Sequence, residues 1–299
     1  MNTKNILVTG ANGQLGNEMY NVLHGNNNFV AFFTDVTPRD RFDVAYLDIT
    51  DDIAVSQYVQ ENHIDCIVNC AAYTAVDAAE DNAVTARKLN TDAVGILAQA
   101  ARAVNARMVQ ISTDYVFDGE SHCTPLQEDM ETRPMTVYGE TKLDGENRLR
   151  EILPADHIIL RTAWLYSPYG KNFVKTMLNL GQTKPALKVV FDQVGTPTCA
   201  HDLALAIMTV LTAQQWHTGT YHFSNEGAIS WFDFTRAIHR LAGITGCDVQ
   251  PCHSDEFPAK AHRPAYSVLD KTKFKNTFQT TIPYWEPSLA HTIEQILNY

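Results

Sequence analysis

The chain has 299 residues, 45% of them apolar, enough to bury one large α/β core or two unequal ones. Its formal charge of −11 excludes nucleic acid and an anionic membrane as main partners, because both need a basic patch. No run approaches the roughly 18 apolar residues of a bilayer span, no leader is visible before Gly10, and the six cysteines show neither CxxC pairing nor zinc-ligand spacing, so a cytoplasmic chain with reduced thiols is expected.

In chain order, apolar runs predict strands at Ile6–Thr9, Phe29–Thr34, Ala45–Leu47, Cys66–Cys70 and Met108–Ser112. Several are apolar throughout rather than alternating, as strands covered on both faces are. Amphipathic stretches between them, such as Ile53–Glu61 and Thr85–Val104, predict helices. Strand and helix alternating in this way imply an α/β fold with a doubly wound parallel sheet of the Rossmann type. A helix is expected over Tyr138–Leu153, ended by Pro154, and a strand over His157–Leu165. Beyond Ser167-Pro168-Tyr169-Gly170 the regularity weakens. Helices are expected at Asn172–Leu180, Asp202–Leu211 and Trp231–Leu241, with extended pieces at Leu187–Phe191 and Thr220–Phe223. No internal repeat or low-complexity segment is visible.

The first strand runs into Gly10-Ala11-Asn12-Gly13-Gln14-Leu15-Gly16, and a helix follows. Glycines spaced GxxGxxG let the chain turn tightly and bring backbone N–H groups close to a pyrophosphate at a helix N-terminus. A structural turn would use the same residues, but the first strand–helix unit is the context that dinucleotide binding requires. Gly10, Gly13, Gln14, Leu15 and Gly16 are therefore candidate cofactor contacts. The second strand ends at Thr34-Asp35. Asp35 there would bond a ribose 2′-OH and favour NADH. Arg39 and Arg41, just beyond, would instead accept the 2′-phosphate of NADPH, so both cofactors stand. Asp48-Ile49 either meets the adenine or caps the helix from Asp51 onward. Ala71 and Ala72, after the Cys66–Cys70 run, would let a cofactor lie against backbone.

Residues 1–165 thus read as an NAD(P)-binding Rossmann domain. Residues 166–299 read as a smaller mixed α/β substrate domain, with part of 187–225 returning to the first.

Tyr138-Gly139-Glu140-Thr141-Lys142 is a YxxxK at the start of a helix, with Tyr138 and Lys142 on one face. A free phenol titrates near 10. The Lys142 ammonium and an oxidised nicotinamide are expected to lower that value and make Tyr138 a usable general acid. Chance supplies YxxxK often; downstream of a glycine loop it carries weight. Ser112-Thr113-Asp114-Tyr115 follows at the carboxyl end of the Met108–Ser112 strand, where a hydroxyl can hydrogen-bond a substrate carbonyl as charge develops on it; Ser and Thr merely capping the strand end is the plainer reading, and Tyr138 in the same chain favours catalysis.

With these marks the chain resembles the extended short-chain dehydrogenase/reductases, and within them the dTDP-4-dehydrorhamnose reductase branch. The resemblance covers nearly the whole chain. It rests on the glycine loop Thr9–Gly16, NCAAYTAVDAAE at 69–80, STDYVFDG at 112–119, YGETKLDG at 138–145, RTAWLY at 161–166, NFVKTM at 172–177, DQVGTPT at 192–198 and HRP at 262–264. It implies reduction of the 4-keto group of dTDP-4-dehydro-β-L-rhamnose by NADPH or NADH, with a nucleotide sugar as the small-molecule partner. Carried over, Thr113 orients the carbonyl, Tyr138 donates the proton, and Lys142 supports Tyr138 and the nicotinamide ribose. Gly13, Gln14 and Leu15 meet the pyrophosphate; Asp48, Ile49, Ala71, Ala72 and Tyr73 lie along the cofactor. Thr74, Val76, Tyr115 and Trp164 face the sugar, although a Trp at a strand end also serves as core. Some relatives dimerise around magnesium held by three glutamates. Here Glu18 matches one, while His201 and Gln295 replace the others. Magnesium prefers carboxylate oxygens, so that metal and its dimer are doubtful, monomer and homodimer both stand, and Glu18 is expected to face solvent. Two rivals follow from the same resemblance: a nucleotide-sugar epimerase or dehydratase, and a non-catalytic subunit like the regulatory β subunit of methionine adenosyltransferase.

Overall fold

The computed structural model describes residues 3–37, 43–119 and 123–298. The strands are β1 (Lys4–Thr9), β2 (Phe29–Asp35), β3 (Ala45–Tyr46), β4 (Cys66–Asn69), β5 (Arg107–Thr113), β6 (His157–Thr162), β7 (Leu165–Tyr166), β8 (Ala186–Val190), β9 (Val194–Gly195), β10 (Thr198–Cys199), β11 (Gly219–His222), β12 (Ile229–Ser230) and β13 (Asp248–Cys252). Among them run α1 (Gln14–Leu23), α2 (Asp52–Glu61), α3 (Val76–Ala79), α4 (Ala83–Arg87), α5 (Ala93–Ala103), α6 (Val137–Ile152), α7 (Phe173–Thr183), α8 (Ala200–Thr212), α9 (Trp231–Leu241), α10 (Thr272–Phe278) and α11 (Trp285–Leu297).

Seven strands form one parallel sheet in the order β11-β6-β5-β4-β1-β2-β3. The runs that were apolar throughout are buried on both faces: Leu7, Val8, Ile67, Val68, Met108, Val109 and Ile158–Leu160 are fully covered. Each such side chain contributes about 1.5–3 kcal/mol on burial. Residues of α1, α8 and α10 pack on one face, and of α2, α5 and α6 on the other. The chain leaves β1 for β2 on one side and returns to β4 on the other, so a crevice opens at their carboxyl ends, where α/β sheets bind ligands.

A second cluster gathers around Phe234, Trp285 and Leu289, built from α7, α9 and α11. Helix α9 starts with a reciprocal cap, Ser230 Oγ accepting from Asp233 N at 3.1 Å while Asp233 Oδ2 accepts from Ser230 N at 3.1 Å. Thr85–Val104 is not one α-helix: a π turn over Lys88–Asp92 separates α4 from α5. That extra residue buries Asn90, which then holds the loop after β4, its Oδ1 accepting from Tyr73 N at 2.9 Å.

Candidate active site

The crevice continues between the sheet and the second cluster as a cleft of about 1130 Å³. On one wall, Gly10 turns with φ +66°, and a Cβ there would sit 2.6 Å from Ala71 N, so only glycine lets the loops after β1 and β4 touch. Gly13 N donates to Gly10 O at 3.0 Å, and Gly16 packs under the loop against Gly10 O and Ala11. Helix α1 has no side-chain cap and no charged residue in its first or last turn. Its first N–H groups and its dipole are open to an anion, which fits the pyrophosphate of a dinucleotide.

Asp35 stands beside this loop, Oδ2 accepting from Asn12 N at 3.1 Å and Oδ1 from Thr37 N at 3.2 Å. Arg39 and Arg41, named above for the 2′-phosphate, lie outside the described residues. The cap of α2 is Asp51, which accepts from Ala54 N at 3.0 Å. Asp48 instead lines the cleft with Ile49 and folds back on Thr50, whose N–H holds the carboxyl below its usual range.

Of the residues named from sequence, Gly10, Gly13, Gln14, Leu15, Asp35, Asp48, Ile49, Ala71, Ala72, Thr74, Val76, Thr113, Tyr115, Tyr138, Lys142 and Trp164 all line the cleft. Gly16 and Tyr73 do not; Tyr73 is held from behind by Asn90. Trp164 stacks on Trp231 with ring centres 3.4 Å apart at 11°, so one of its faces is taken by another indole.

Helix α6 enters on Thr136, whose Oγ1 accepts from Gly139 N at 3.0 Å. It sets Tyr138 against the end of β5, where the phenol is hydrogen-bonded to Thr113. Thr113 Oγ1 in turn donates to Asp114 Oδ1 at 3.0 Å. Asp114 is buried, also bonded to Ser267, and its second oxygen has no partner among the described residues. Burial pushes its carboxyl up to about 6.

The expected depression of the phenol by Lys142 is not found. Burial raises Tyr138 well above its usual value, and the Thr113 hydrogen bond offsets only part of this. The Lys142 ammonium is engaged elsewhere, donating to Ile111 O at 2.6 Å. Burial pulls Lys142 down to about 8, against the opposing pull of Glu146. Tyr138 thus keeps its proton at neutral pH, as a proton donor must.

Sequence reasoning missed Glu146, one turn beyond Lys142. It is fully buried and accepts from Ser112 Oγ at 2.5 Å, Arg161 Nε at 2.9 Å, Arg161 Nη2 at 2.8 Å and Arg150 Nη2 at 2.6 Å. Burial would raise this carboxyl, but the two arginines and Ser112 hold it below its usual range.

Glu18 was expected on the surface and is instead buried, because Oε2 is drawn to His201 Nδ1 at 3.1 Å and accepts from Asn21 Nδ2 at 3.1 Å. Gln295 lies on α11, its amide nitrogen 3.2 Å from His291 Nε2. Among the described residues no three His, Cys, Asp or Glu side chains cluster as a metal site, and no helix is long and apolar enough to cross a membrane.

A glycine loop at the β1/β4 switch point, with Thr113, Tyr138 and Lys142 across the same cleft, defines an extended short-chain dehydrogenase/reductase. A family model described as the RmlD substrate binding domain matches residues 4–298. A dTDP-4-dehydrorhamnose reductase of Streptomyces griseus is 40% identical over 289 residues, 96% of this chain and 92% of that one. The crystal structure of a dTDP-4-dehydrorhamnose reductase from Clostridium acetobutylicum superposes with a TM-score of 0.90 at 44% identity, over 98% of this chain and 99% of that one. One from Bacillus anthracis, in complex with NADP, gives 0.89 at 36% identity, over 98% and 100%. The chain belongs to the dTDP-4-dehydrorhamnose reductase family.

Proposed function

We propose that this chain reduces the 4-keto group of dTDP-4-dehydro-β-L-rhamnose, with NADPH or NADH, to give dTDP-β-L-rhamnose. The observation that carries the reading is Tyr138, its phenol bonded to Thr113, in the cleft that also holds the open glycine loop. Membership of the family supplies the sugar; the residues supply the chemistry.

When bound, the reduced nicotinamide supplies a hydride to C4 of the sugar. Tyr138 gives its phenol proton to the carbonyl oxygen, so the ketone gains one hydride and one proton and becomes an alcohol. Thr113 holds the phenol at the end of β5, and it orients the carbonyl by turning its hydroxyl proton from Asp114 to the substrate oxygen. Lys142, one turn along α6, holds the nicotinamide ribose. Gly10, Gly13, Gln14 and Leu15 cradle the pyrophosphate. Asp35, Asp48, Ile49, Ala71 and Ala72 lie along the cofactor, and Thr74, Val76, Tyr115 and Trp164 face the sugar. The enzyme works in the cytoplasm, as a monomer or a homodimer, and its mass in solution decides between them.

The test is absorbance of NADPH on addition of the dTDP-4-dehydro sugar. Wild type consumes it, and Tyr138→Phe lowers turnover by about 10²–10⁴. Near-full turnover in that variant would remove Tyr138 from its assigned place.

A further inference from the structure

Opposite the glycine loop, the cleft is bounded by a strap from the C-terminal half, in which Phe257–Ala259, Arg263 and Pro264 line the cavity. Backbone bonds fix the strap: Val194 N donates to Ala265 O at 2.8 Å, Ser267 N to Val194 O at 2.8 Å and Tyr266 N to Gly119 O at 2.9 Å. Gly119 turns with φ +72°, and a Cβ there would lie 2.3 Å from Pro264. The strap therefore seats on a position where only glycine fits.

From this strap Arg263 reaches across the cleft mouth. Its Nη1 donates to Tyr115 Oη at 3.0 Å, and its Nη2 forms a close ion pair with Asp77 on α3. The other oxygen of Asp77 accepts from Ala261 N at 3.0 Å, and Lys260 pairs with Asp81 in the next turn. One carboxylate and one guanidinium thus join the strap, α3 and the turn after β5.

The direction of the Tyr115 bond follows from chemistry. A guanidinium only donates, so the Tyr115 oxygen must accept, and its own proton is left to give to something else. Tyr115 meets Tyr138 edge-on, ring centres 5.6 Å apart at 74°. Both residues line the same cleft, so that free donor shares it with the phenol assigned to the carbonyl. Arg263 itself is a poor clamp for a phosphate, because Asp77 already balances its charge.

We propose that Arg263 is a positioning and specificity residue: it fixes Tyr115 as a hydrogen-bond donor to a hydroxyl of the sugar ring next to the reacting carbonyl, and Asp77 fixes Arg263. The inference rests on the function proposed above, since it concerns how that sugar is read.

Calorimetry with dTDP-β-L-rhamnose, dTDP and NADPH tests it, on wild type, Arg263→Gln, Tyr115→Phe and the double variant. Arg263→Gln is expected to weaken dTDP-β-L-rhamnose by about tenfold, while dTDP and NADPH bind as to wild type. In the Tyr115→Phe background the same change adds almost nothing, because both changes remove one interaction. Equal weakening of dTDP would overturn the proposal and make Arg263 a diphosphate contact. So would losses that multiply in the double variant. If Arg263→Gln does not fold, Asp77→Asn, which frees the same guanidinium, carries the identical expectation. The two readings fail differently. A wild type that binds the sugar nucleotide but oxidises no NADPH with the keto sugar refutes the reductase alone. One that does not bind the sugar nucleotide refutes both.

Discussion

Replacing Glu146 by Gln tests whether the buried ion pair, and not only YxxxK, governs this site. Glu146 accepts four hydrogen bonds from Ser112, Arg161 and Arg150, and both Glu146 and Arg161 are almost wholly out of water. Gln keeps the shape but removes the charge and turns an NH₂ group toward guanidinium donors. Removing one partner of a buried pair costs about 3–5 kcal/mol, because the other charge is left uncompensated. At about 2–4 °C per kcal/mol for a domain of this size, Tm should fall by roughly 6–20 °C. Scanning fluorimetry and urea unfolding measure it directly. The carboxyl is held below its usual value of 4.5, so its contribution is present above that pH and is lost as pH falls through the lower folded value. The difference between wild type and variant should therefore narrow in acid.

The same substitution has a second readout at the active site. Lys142 stands at about 8, and Glu146 is the group that holds it up. Without that charge the ammonium loses its proton at lower pH. Activity that needs the Lys142 cation falls as pH rises through its pKa, so the alkaline limb of kcat/KM should move to lower pH in Glu146→Gln. A Tm change under about 2 °C would refute the energetic argument. An unmoved alkaline limb would refute the coupling to Lys142.

Gly10→Ala places a Cβ 2.6 Å from Ala71 N at φ +66°, so the Kd for NADPH, read by fluorescence quenching, should rise by about tenfold or more; unchanged affinity would mean that the loop does not hold the dinucleotide. Asp114 has its carboxyl raised from 3.8 to about 6 by burial, so the folded state binds the extra proton within that window and stability falls as pH rises through it. Asp114→Asn escapes this loss: it should be the more stable protein above pH 6 and lose its advantage below about pH 4, and urea midpoints that differ equally at both ends would contradict the assignment.

Much of the parallel sheet was legible because two-sided burial writes itself as apolar runs. Cys66–Asn69 and His157–Thr162 are buried at every position, and a strand covered on both faces can carry little else. The π turn over Lys88–Asp92 was not legible, since one extra residue in a helix leaves no change of composition. Nor was β13: Asp248–Cys252 is half exposed and contains Pro251, and it is a strand because β8 lies beside it. At the site, Thr113, Tyr138 and Lys142 could be named because local motifs announce them. Arg263 could be quoted only as part of a motif, because its meaning depends on Tyr115, 148 residues away. The surface reading of Glu18 failed for the same reason: His201, which covers it, is 183 residues distant.

Tyr138, Lys142 and Glu146 stand four residues apart on α6, one face of one helix. The first ends at Thr113 on β5, the second at Ile111 O on β5, the third at Ser112 on β5 and Arg161 on β6. The helix is therefore pinned to successive residues of a single strand, and the depth of burial increases along it until the charge must be paired. YxxxK describes only the half of this face that lines the cleft. The half beneath, Glu146 with Arg161, ties the helix to β5 and β6, and the roughly 3–5 kcal/mol lost on removing one partner is a large share of the 5–15 kcal/mol that holds a domain folded. On the function proposed above, Tyr138 delivers a proton to one carbonyl oxygen and needs placement within a fraction of an ångström; the Glu146–Arg161 pair, outside the cleft lining, ties the same helix to β5 and β6.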